Sequence, residues 1–372
     1  MKDMLSVMLA AGGTGGHLFP AFALAEELQR RGIAVDLMTD MRGDRYGSGF
    51  PARNVYRVPA ATLAGRSPIA AARTAMSLMN GTRAAYAILR KVKPSAIIGF
   101  GGYPTFPPLV AARLLGIASA IHEQNAVLGR ANKMLARRVN AIATSFERTK
   151  YLDGGLGKTA CVTGNPVRQA VIEAAATPFQ LPDSQGEFRI LVFGGSQGAR
   201  FFSDAVPKAL AALSVATRAR LRIVQQVRDE DLCRVRQSYA ESGVKSEVDT
   251  FFKDLPARMA ASHLVIGRAG ASTVAELTVI GRPSLLVPLP HALDNDQLNN
   301  ALRLAESGGG WCIEQKDLTP QRLTAEIGNL IAQPQKLAAA AEAAKRAGRP
   351  DAVTRLADFV LDLARASSQR AA

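Results

Sequence analysis

The sequence predicts an α/β protein made of two doubly wound, Rossmann-like domains that face each other across a cleft. Strand-like and helix-like segments alternate in both halves, and 372 residues exceed what one hydrophobic core usually covers. Each half also opens with a buried strand, a glycine-rich loop and a helix. Ligands of open α/β sheets bind beyond the carboxyl ends of the strands. We therefore expect both glycine loops to contact a ligand.

The first half begins with an apolar strand at residues 4–9, a loop with four glycines at 10–17 and a helix at 20–31 that Gly32 ends. Further strands are predicted at 33–38, 95–100, 118–121 and 141–145, the last being the final strand of this half. Helices are predicted at 69–92, 109–115 and 130–139, and residues 41–68 are rich in loop formers. The order of these elements implies a parallel sheet with right-handed crossovers.

The pattern breaks at residues 163–168, where we place the linker, and the second half then repeats the plan. Its strands are predicted at 189–193, 221–225, 248–251, 263–266 and 284–287, with helices at 202–212 and up to Ser242. The chain ends in a helix with an apolar stripe formed by Val353, Leu356, Val360 and Leu363. Residues from about Ser367 are expected to be disordered.

Composition describes an ordinary globular protein, with 48% hydrophobic and 21% charged residues. No apolar run approaches the roughly 20 residues of a spanning helix, and no signal peptide is expected. The three cysteines (Cys161, Cys233 and Cys312) are far apart and odd in number. They suit a reducing cytoplasm and form neither a disulfide framework nor a zinc pattern.

The net charge of +15 is concentrated in the first half, where residues 1–165 carry 21 Lys and Arg against 9 Asp and Glu. No acidic residue occurs between Asp44 and Glu123. This one-sidedness favours an anionic partner: nucleic acid, a phosphorylated substrate or an anionic bilayer. The alternative is a generally basic protein without a specific partner. Nucleic acid is disfavoured, because the basic span has few aromatic residues and no recognised binding module.

The second half contains the residue types of a nucleotide-diphosphate pocket. Ser272 and Thr273 fall in the first turn of a helix after Gly270, where hydroxyls and free N–H groups bind anions. Glu276 follows one turn later and can accept the hydroxyls of a ribose. Ser196, in the second glycine loop, could close over the same phosphates. For one such motif alone, the alternative is a capped helix start with a solvated glutamate.

Six motifs in this order resemble those of the MurG family of peptidoglycan glycosyltransferases, which use UDP-N-acetylglucosamine. They are Gly12-Gly13-Thr14-Gly15-Gly16-His17, Gly101-Gly102-Tyr103, His122-Glu123-Gln124-Asn125, Gly164-Asn165-Pro166-Val167-Arg168, Gly194-Gly195-Ser196-Gln197-Gly198-Ala199, and Arg268-Ala269-Gly270-Ala271-Ser272-Thr273 through Glu276. Each motif is weak by itself, but the series is specific and spans nearly the whole chain.

The resemblance implies a GT-B fold in which residues 1–164 bind the acceptor and dock on the membrane, and residues 165–349 bind the donor. A helix at 350–366 would join the first domain, leaving a tail at 367–372. The implied reaction moves N-acetylglucosamine, with inversion, to the C4 hydroxyl of the muramoyl sugar of lipid I and gives lipid II for peptidoglycan synthesis. No cofactor or metal is expected. The protein would be peripheral on the cytoplasmic face of the inner membrane, with other cell-wall and division proteins as partners.

The resemblance also assigns binding residues. Those near the donor UDP-N-acetylglucosamine would be Thr14, Gly15, Gly16, His17, Asn125, Arg168, Ser196, Phe252, Ala271, Ser272, Thr273, Glu276 and Gln297. Within this set, Arg168 and Ser196 would contact the phosphates, the backbone of Phe252 the uracil, and Gln297 the sugar hydroxyls. Those near the acceptor would be Gly13, Thr14, Gly15, Gly102 and Tyr103.

His17 is our candidate for the general base, because the acceptor hydroxyl must lose a proton as it attacks the anomeric carbon. Alternatively, His17 caps the loop or holds Thr14 in place. His122 is the next candidate for the base, whereas Glu123 suits a structural role.

Two further stretches have alternative interpretations. Asp294-Asn295-Asp296 spells the DxD of metal-dependent glycosyltransferases, but its position favours a helix start with N-cap character. Relatives often carry paired glutamines where this chain has Asp296-Gln297, which leaves the donor-sugar contacts open there. A membrane patch is predicted in the basic helix at 69–92, although an ordinary packing helix is the alternative. The patch residues are Arg73, Met76, Leu78, Met79, Arg83 and Tyr86.

Two other enzyme classes share parts of this pattern. A dinucleotide-binding oxidoreductase also starts with strand, glycine loop and helix, but Gly13-Thr14-Gly15-Gly16-His17-Leu18 is not a G-x-G-x-x-G fingerprint. A GT-B enzyme with another lipid or non-lipid acceptor is the closer alternative.

Overall fold

The chain divides into two compact units, each built on its own parallel sheet. The structure is a computed structural model that describes residues 5–12, 15–40, 49–60, 68–195, 200–290, 292 and 294–371. The first unit comprises Met1–Arg168 and Pro350–Ala372, and the second comprises Gln169–Arg349. The boundary lies four residues beyond the predicted position at 164.

The first unit has a sheet of seven parallel strands. In chain order they are β1 (Ser6–Ala10), β2 (Ala34–Thr39), β3 (Asn54–Arg57), β4 (Ala96–Gly99), β5 (Ser119–Glu123), β6 (Ala141–Thr144) and β7 (Ala160–Val162). Their order across the sheet is β3-β2-β1-β4-β5-β6-β7. The chain therefore reverses its direction of winding between β1 and β4, as in a doubly wound fold.

Helices cover both faces of this sheet: α1 (Gly15–Arg30), α2 (Pro68–Val92), α3 (Phe106–Leu114) and α4 (Arg130–Leu135). Val7 and Leu9 of β1 belong to the buried cluster on the α1 face. Met8 and Ala10 belong to the cluster on the opposite face with α2, α3 and α4. Burial on both faces explains why β1 is apolar at every position from 7 to 10.

The second unit has six parallel strands: β8 (Phe188–Phe193), β9 (Leu221–Gln226), β10 (Lys245–Asp249), β11 (Leu264–Gly267), β12 (Ser284–Leu286) and β13 (Gly310–Cys312). Their order is β10-β9-β8-β11-β12-β13, with the reversal between β8 and β11. Its helices are α5 (Gln169–Ala174), α6 (Arg200–Ala211), α7 (Val215–Arg220), α8 (Leu232–Ser242), α9 (Leu255–Ala261), α10 (Ala271–Ile280), α11 (Asp296–Glu306), α12 (Pro320–Ala332) and α13 (Pro334–Ala347).

The C-terminal helix α14 (Ala352–Ala371) belongs to the first unit. Leu356 and Val360, from the predicted apolar stripe, are fully buried in the same cluster as β1 and α1. Arg31, which follows α1, forms an ion pair with Asp358 of α14, with Nη1 lying 2.5 Å from Oδ1. This ion pair links the polar side of α14 to the end of α1. The expectation of a disordered tail from Ser367 is wrong as far as Ala371, because the helix continues through these residues.

Other differences concern the edges of elements. Helix α1 begins at Gly15, five residues before its predicted start, so Pro20 lies inside the helix. The predicted final strand at 141–145 is followed by β7, which pairs with β6, and β3 lies within the region that we expected to be loop. Neither β3 nor β13 was predicted. No helix among the described residues is long and apolar enough to cross a bilayer.

Candidate functional site

In the first unit, two glycine loops leave the sheet at the point where its winding reverses. One follows β1 and leads into α1, and the other follows β4 at Gly101 and Gly102. Both of these glycines have positive φ, at 87° and 72°, which side chains with a Cβ rarely adopt. This crevice beyond neighbouring strands is where doubly wound sheets bind ligands.

His17 lies in this crevice as the third residue of α1, and its side chain is partly exposed. Its ring packs against the Gly101-Gly102 backbone. A Cβ added at Gly101 would lie 3.2 Å from Cε1 of His17, and one added at Gly102 would lie 3.3 Å from Cδ2. The two glycines therefore leave the space that the imidazole occupies. The acceptor prediction for Gly102 and the base prediction for His17 fall at one place in the structure.

A row of hydrogen bonds runs inward from His17. Its Nδ1 lies 3.1 Å from Oε1 of Gln124, whose Nε2 lies 2.9 Å from Nδ1 of His122. The Nε2 atom of His122 then lies 2.9 Å from the carbonyl oxygen of Gly164. His122 is fully buried, and burial lowers its pKa to about 4. Because it is buried and both of its ring nitrogens are bonded, His122 does not suit the role of the base.

Glu123 has the structural role that we predicted. Its Oε1 accepts hydrogen bonds from the backbone N–H and the side-chain amide of Asn125 at 3.0 and 3.3 Å. Its Oε2 accepts from the N–H of Gly129 at 2.9 Å and from the amide of Asn132 at 2.8 Å. Burial is the main reason that the pKa of Glu123 is raised, and these hydrogen bonds oppose it. The carboxyl group thus fixes the loop that carries Asn125.

The remaining predicted residues of the first unit are placed as follows. Gly15 is buried at the start of α1, close to the ring of Phe19, and Gly16 is exposed. Tyr103 is half-buried and begins a short 3-10 helix. The guanidinium carbon of Arg168 lies 5.5 Å from the centroid of the Phe19 ring. Gly13, Thr14 and, in the second unit, Ser196 lie outside the described residues.

In the second unit, the N-terminus of α10 follows β11 at the corresponding reversal point. Gly270 occupies the N-cap position and provides no side-chain cap, and the first turn has no acidic residue. Ala271, Ser272 and Thr273 form this turn and are half-buried. The Ser272 hydroxyl is buried and has no hydrogen-bond partner among the described residues. The turn therefore presents unused donors, as an anion site requires, rather than a capped helix start.

Glu276 lies one turn further along α10 and is 8% exposed. Phe252 is buried, with the guanidinium carbon of Arg258 4.3 Å from its ring centroid. Oε1 of Gln297 accepts a hydrogen bond from the N–H of Leu289 at 3.0 Å, which ties the start of α11 to the loop after β12. Glu276 and Gln297 thus lie on the helices that follow β11 and β12, whereas Phe252 follows β10 at the edge of the sheet.

Arg268 is a site residue to which our sequence analysis gave no role, although it lies in a motif quoted above. Its guanidinium donates to the carbonyls of Val287 and Pro288 at 3.0 Å each and to Oε1 of Gln315 at 2.7 Å. Burial lowers its pKa to about 10, so it remains charged at neutral pH. The sequence signal that could have identified Arg268 is a basic residue directly after a buried strand. Arg268 holds the loop that leads to Gln297.

The DxD-like stretch forms a helix start, as predicted. Helix α11 begins at Asp296, and Asn295 occupies the N-cap with φ 50°. The expected side-chain cap is not formed; instead, Asp296 accepts a hydrogen bond from the N–H of Gln297 at 2.9 Å. Among the residues that the structure describes, no group of three His, Cys, Asp or Glu side chains could hold a metal ion. Metal independence stays a prediction.

The residues of the predicted membrane patch lie on two different faces of helix α2. Arg73, Met76, Met79 and Arg83 are exposed, with Met76 at 55% and Met79 at 43%. Leu78 is half-buried, and Tyr86 packs against the core cluster that contains Leu89. Tyr86 therefore lies towards the packing face, and Leu78 contributes little exposed surface. The membrane patch itself stays a prediction.

Comparisons with known proteins agree with this architecture. Residues 7–144 match the glycosyltransferase family 28 N-terminal domain, and residues 189–356 match the C-terminal domain of the same family. The crystal structure of MurG from Acinetobacter baumannii has a TM-score of 0.79 at 30% identity, covering 96% of this chain and 99% of that one. A UDP-GlcNAc 2-epimerase from Neisseria meningitidis has a TM-score of 0.68 at 14% identity, which shows the fold alone.

These matches define a glycosyltransferase with the GT-B fold and confirm the predicted fold class. A UDP-N-acetylglucosamine–N-acetylmuramyl-(pentapeptide) pyrophosphoryl-undecaprenol N-acetylglucosamine transferase from Rhodopseudomonas palustris is 54% identical over 98% of this chain and 97% of its own length. The Brucella abortus protein of that name is 52% identical over 95% of this chain and 93% of its own length. The chain belongs to this family of N-acetylglucosamine transferases, the MurG family.

Proposed function

We propose that the protein transfers N-acetylglucosamine from UDP-N-acetylglucosamine to the C4 hydroxyl of the muramoyl sugar in undecaprenyl-pyrophosphoryl-MurNAc-pentapeptide (lipid I). Inversion at the anomeric carbon would give lipid II for peptidoglycan synthesis. The observation that carries this proposal is the 54% identity over 98% of the chain to a transferase named for this donor and this acceptor. The proposal is supported by the unpartnered hydroxyl of Ser272, which would bind an anion, and by the partly exposed His17, which would take up a proton.

The test is an assay of purified protein with radiolabelled UDP-N-acetylglucosamine and lipid I, followed by chromatography of the lipid product. We expect label in a lipid II product with lipid I, and none with undecaprenyl phosphate or a polyprenyl-linked hexose. The same assay with EDTA should proceed at an unchanged rate, because the proposal involves no metal. Transfer to one of the other acceptors with lipid I inactive would contradict the proposal, and rescue of an EDTA-inhibited enzyme by a divalent cation would contradict metal independence.

The donor nucleotide would be held by the second unit. The free N–H groups at the start of α10, with the hydroxyls of Ser272 and Thr273, would bind the diphosphate, and the positive end of the helix would stabilise the departing UDP. Glu276 would accept the ribose hydroxyls, the backbone of Phe252 would contact uracil, and Gln297 the sugar. The donor contacts of Gly15, Gly16, Asn125 and Arg168 stay predictions, since these residues belong to the first unit.

Substitution Glu276→Ala is expected to weaken UDP binding by about 10- to 100-fold, because a hydrogen bond to a charged group contributes roughly 1.5–3 kcal/mol. Calorimetric titration with UDP and with 2′-deoxy-UDP measures this. The wild type should prefer UDP, and the variant should bind both nucleotides equally. Glu306→Ala, at an exposed carboxylate on α11, is the control and should retain the preference. A Glu276→Ala protein that still discriminates against 2′-deoxy-UDP would contradict the ribose assignment.

The acceptor would be activated in the first unit. His17 would take the proton of the C4 hydroxyl while that oxygen attacks the anomeric carbon of the donor. The bond between this carbon and the UDP oxygen would break at the same time, and its electron pair would leave with UDP. Gly102 and Tyr103, together with residues 13–15, would contact the acceptor. The Gly101-Gly102 backbone packs against the imidazole of His17, and this restriction of the ring supports the proposed role.

Lipid I lies in an anionic bilayer, and the exposed face of α2 is suited to such a surface. Arg73 and Arg83 flank two exposed methionines on this face, and the helix contains no acidic residue. Basic side chains would bind lipid headgroups while the methionines enter the interface. This would place the protein at the cytoplasmic face of the inner membrane, beside other cell-wall and division proteins.

The charge reversal Arg73→Glu/Arg83→Glu is expected to reduce binding to vesicles with 30% phosphatidylglycerol by about tenfold or more, since each basic residue near the surface contributes ~1 kcal/mol. Co-sedimentation at low and at high salt measures the loss. The matched control Lys336→Glu/Arg346→Glu makes the same change of net charge at exposed positions of α13 and should bind like the wild type. Equal loss in both variants would show a general effect of net charge and no docking face.

A further inference from the structure

The hydrogen bonds behind His17 fix which of its ring nitrogens carries the hydrogen. The innermost partner is the carbonyl oxygen of Gly164, which can only accept a hydrogen bond. The facing Nε2 of His122 must therefore donate and carry a hydrogen. His122 is fully buried and neutral near pH 7, because burial lowers its pKa to about 4. Its Nδ1 is consequently left with a lone pair and can only accept.

This lone pair sets the orientation of the Gln124 amide. The amide nitrogen lies 2.9 Å from Nδ1 of His122 and 3.0 Å from the backbone carbonyl oxygen of the same residue. Both of these atoms are acceptors, so the –NH₂ group must face them. A flipped amide would place its oxygen against two acceptors inside the protein, where Gln124 is only 1% exposed. The oxygen of Gln124 therefore faces His17.

We propose that Gln124 and His122 are positioning residues that hold His17 as the tautomer with hydrogen on Nδ1, which leaves the Nε2 lone pair free to take the acceptor's proton. The Nδ1 atom of His17 lies 3.1 Å from Oε1 of Gln124, which accepts its hydrogen. Which nitrogen of a neutral histidine is protonated is set by the partner of the other nitrogen. The catalytic importance of this tautomer rests on the proposed role of His17 as base.

The neutral amide also distinguishes this arrangement from a histidine backed by a carboxylate. The carboxyl group of Glu123, the residue between His122 and Gln124, has both oxygens bonded to Asn125, Gly129 and Asn132 instead of His17. The other titratable group in the row is His122, which is neutral. The imidazolium that forms during transfer would be stabilised by the dipole of Gln124 and by the charge of Glu123 at longer range. The helix N-terminus that carries His17 opposes its positive charge.

Nitrogen-15 NMR of histidine-labelled protein tests the tautomer without reference to activity. The chain has only four histidines, so His17 can be assigned by comparison with His17→Asn. At a pH where His17 is neutral, we expect Nδ1 to be protonated and Nε2 to be unprotonated in the wild type. Gln124→Met, which keeps the length of the side chain, should produce a mixture of tautomers. The control Gln237→Met, at an exposed glutamine of α8, should leave the spectrum unchanged. Hydrogen on Nε2 of His17 in the wild type would overturn the proposal, whatever the variants do.

Kinetics provide a second readout that a merely structural role would not move. Gln124→Met should lower kcat by about tenfold and leave the KM for the donor unchanged. In Gln124→Glu, a carboxylate faces His17 and favours the imidazolium, so the acid limb of the kcat profile should move to higher pH by about one pH unit. An unmoved acid limb would count against the hydrogen bond to Gln124. If His17→Ala kept full activity while the NMR result held, the base assignment alone would be wrong.

Discussion

The variant His17→Ala is expected to lower kcat for transfer to lipid I by about 10²- to 10⁴-fold, the usual contribution of a positioned general base. The KM for UDP-N-acetylglucosamine should change much less than kcat, because the proposed diphosphate and ribose contacts belong to the second unit. Initial rates over a range of both substrates measure the two parameters separately. A rate close to that of the wild type, with unchanged donor affinity, would exclude His17 as the base.

The variant His17→Asn separates the base from the alternative role of holding the loop. An asparagine amide can still donate a hydrogen bond to Gln124, in place of Nδ1 of His17, but it cannot accept a proton at neutral pH. If the base assignment is right, Asn and Ala should be equally inactive. If His17 only supports the loop, Asn should recover a large part of the rate. Thermal unfolding of both variants shows whether the fold is intact.

The fold class could be predicted from the sequence because its central strands are apolar and are followed by glycine loops. Strand β1 is buried at four consecutive residues. Its neighbour β4 and the central strand β8 of the second unit are similar. The strands that escaped prediction, β3, β7 and β13, lie at the edges of the sheets. Residues 54–57 alternate poorly and are mostly exposed. Such edge strands form because a neighbouring strand pairs with them, and the local sequence does not show which segment will be that neighbour.

The site was predictable where one stretch of chain supplies the chemistry. The proposed anion site at α10 consists of consecutive residues, which the sequence analysis correctly placed in the first turn of a helix. The hydrogen bonds from His17 to Gly164, in contrast, join distant parts of the chain. His17 and Gln124 are 107 positions apart, and His122 and Gly164 are 42 positions apart. We predicted that strand β5 ends at residue 121, but His122 and Glu123 are the last two residues of this buried strand. Only the parallel pairing of the strands brings these side chains together.

Substitution Arg282→Met is expected to destabilise the second unit by about 3 kcal/mol or more. Arg282 is 1% exposed and pairs with no carboxylate among the described residues. Its guanidinium instead donates to backbone carbonyls that join three segments: those of Ala260, Ile280, Gly281, Thr177 and Pro178. Methionine would fill much of the space but would leave these oxygens buried without donors. Through these hydrogen bonds to backbone carbonyls (the carbonyl cage), the buried guanidinium links α9, the end of α10 and the segment after α5.

Urea unfolding followed by fluorescence measures this effect in the correct unit, because Trp311 is the only tryptophan and lies in β13. With a urea dependence of about 2 kcal/mol per molar, the midpoint should fall by roughly 1.5 M. Arg282→Lys keeps the charge but has fewer donors, so its midpoint should lie between those of the wild type and Arg282→Met. Arg346→Met, at a largely exposed arginine of α13, should change the midpoint little. Equal midpoints for Arg282→Met and Arg346→Met would show that the cage does not stabilise the unit, and the buried charge would then need another explanation.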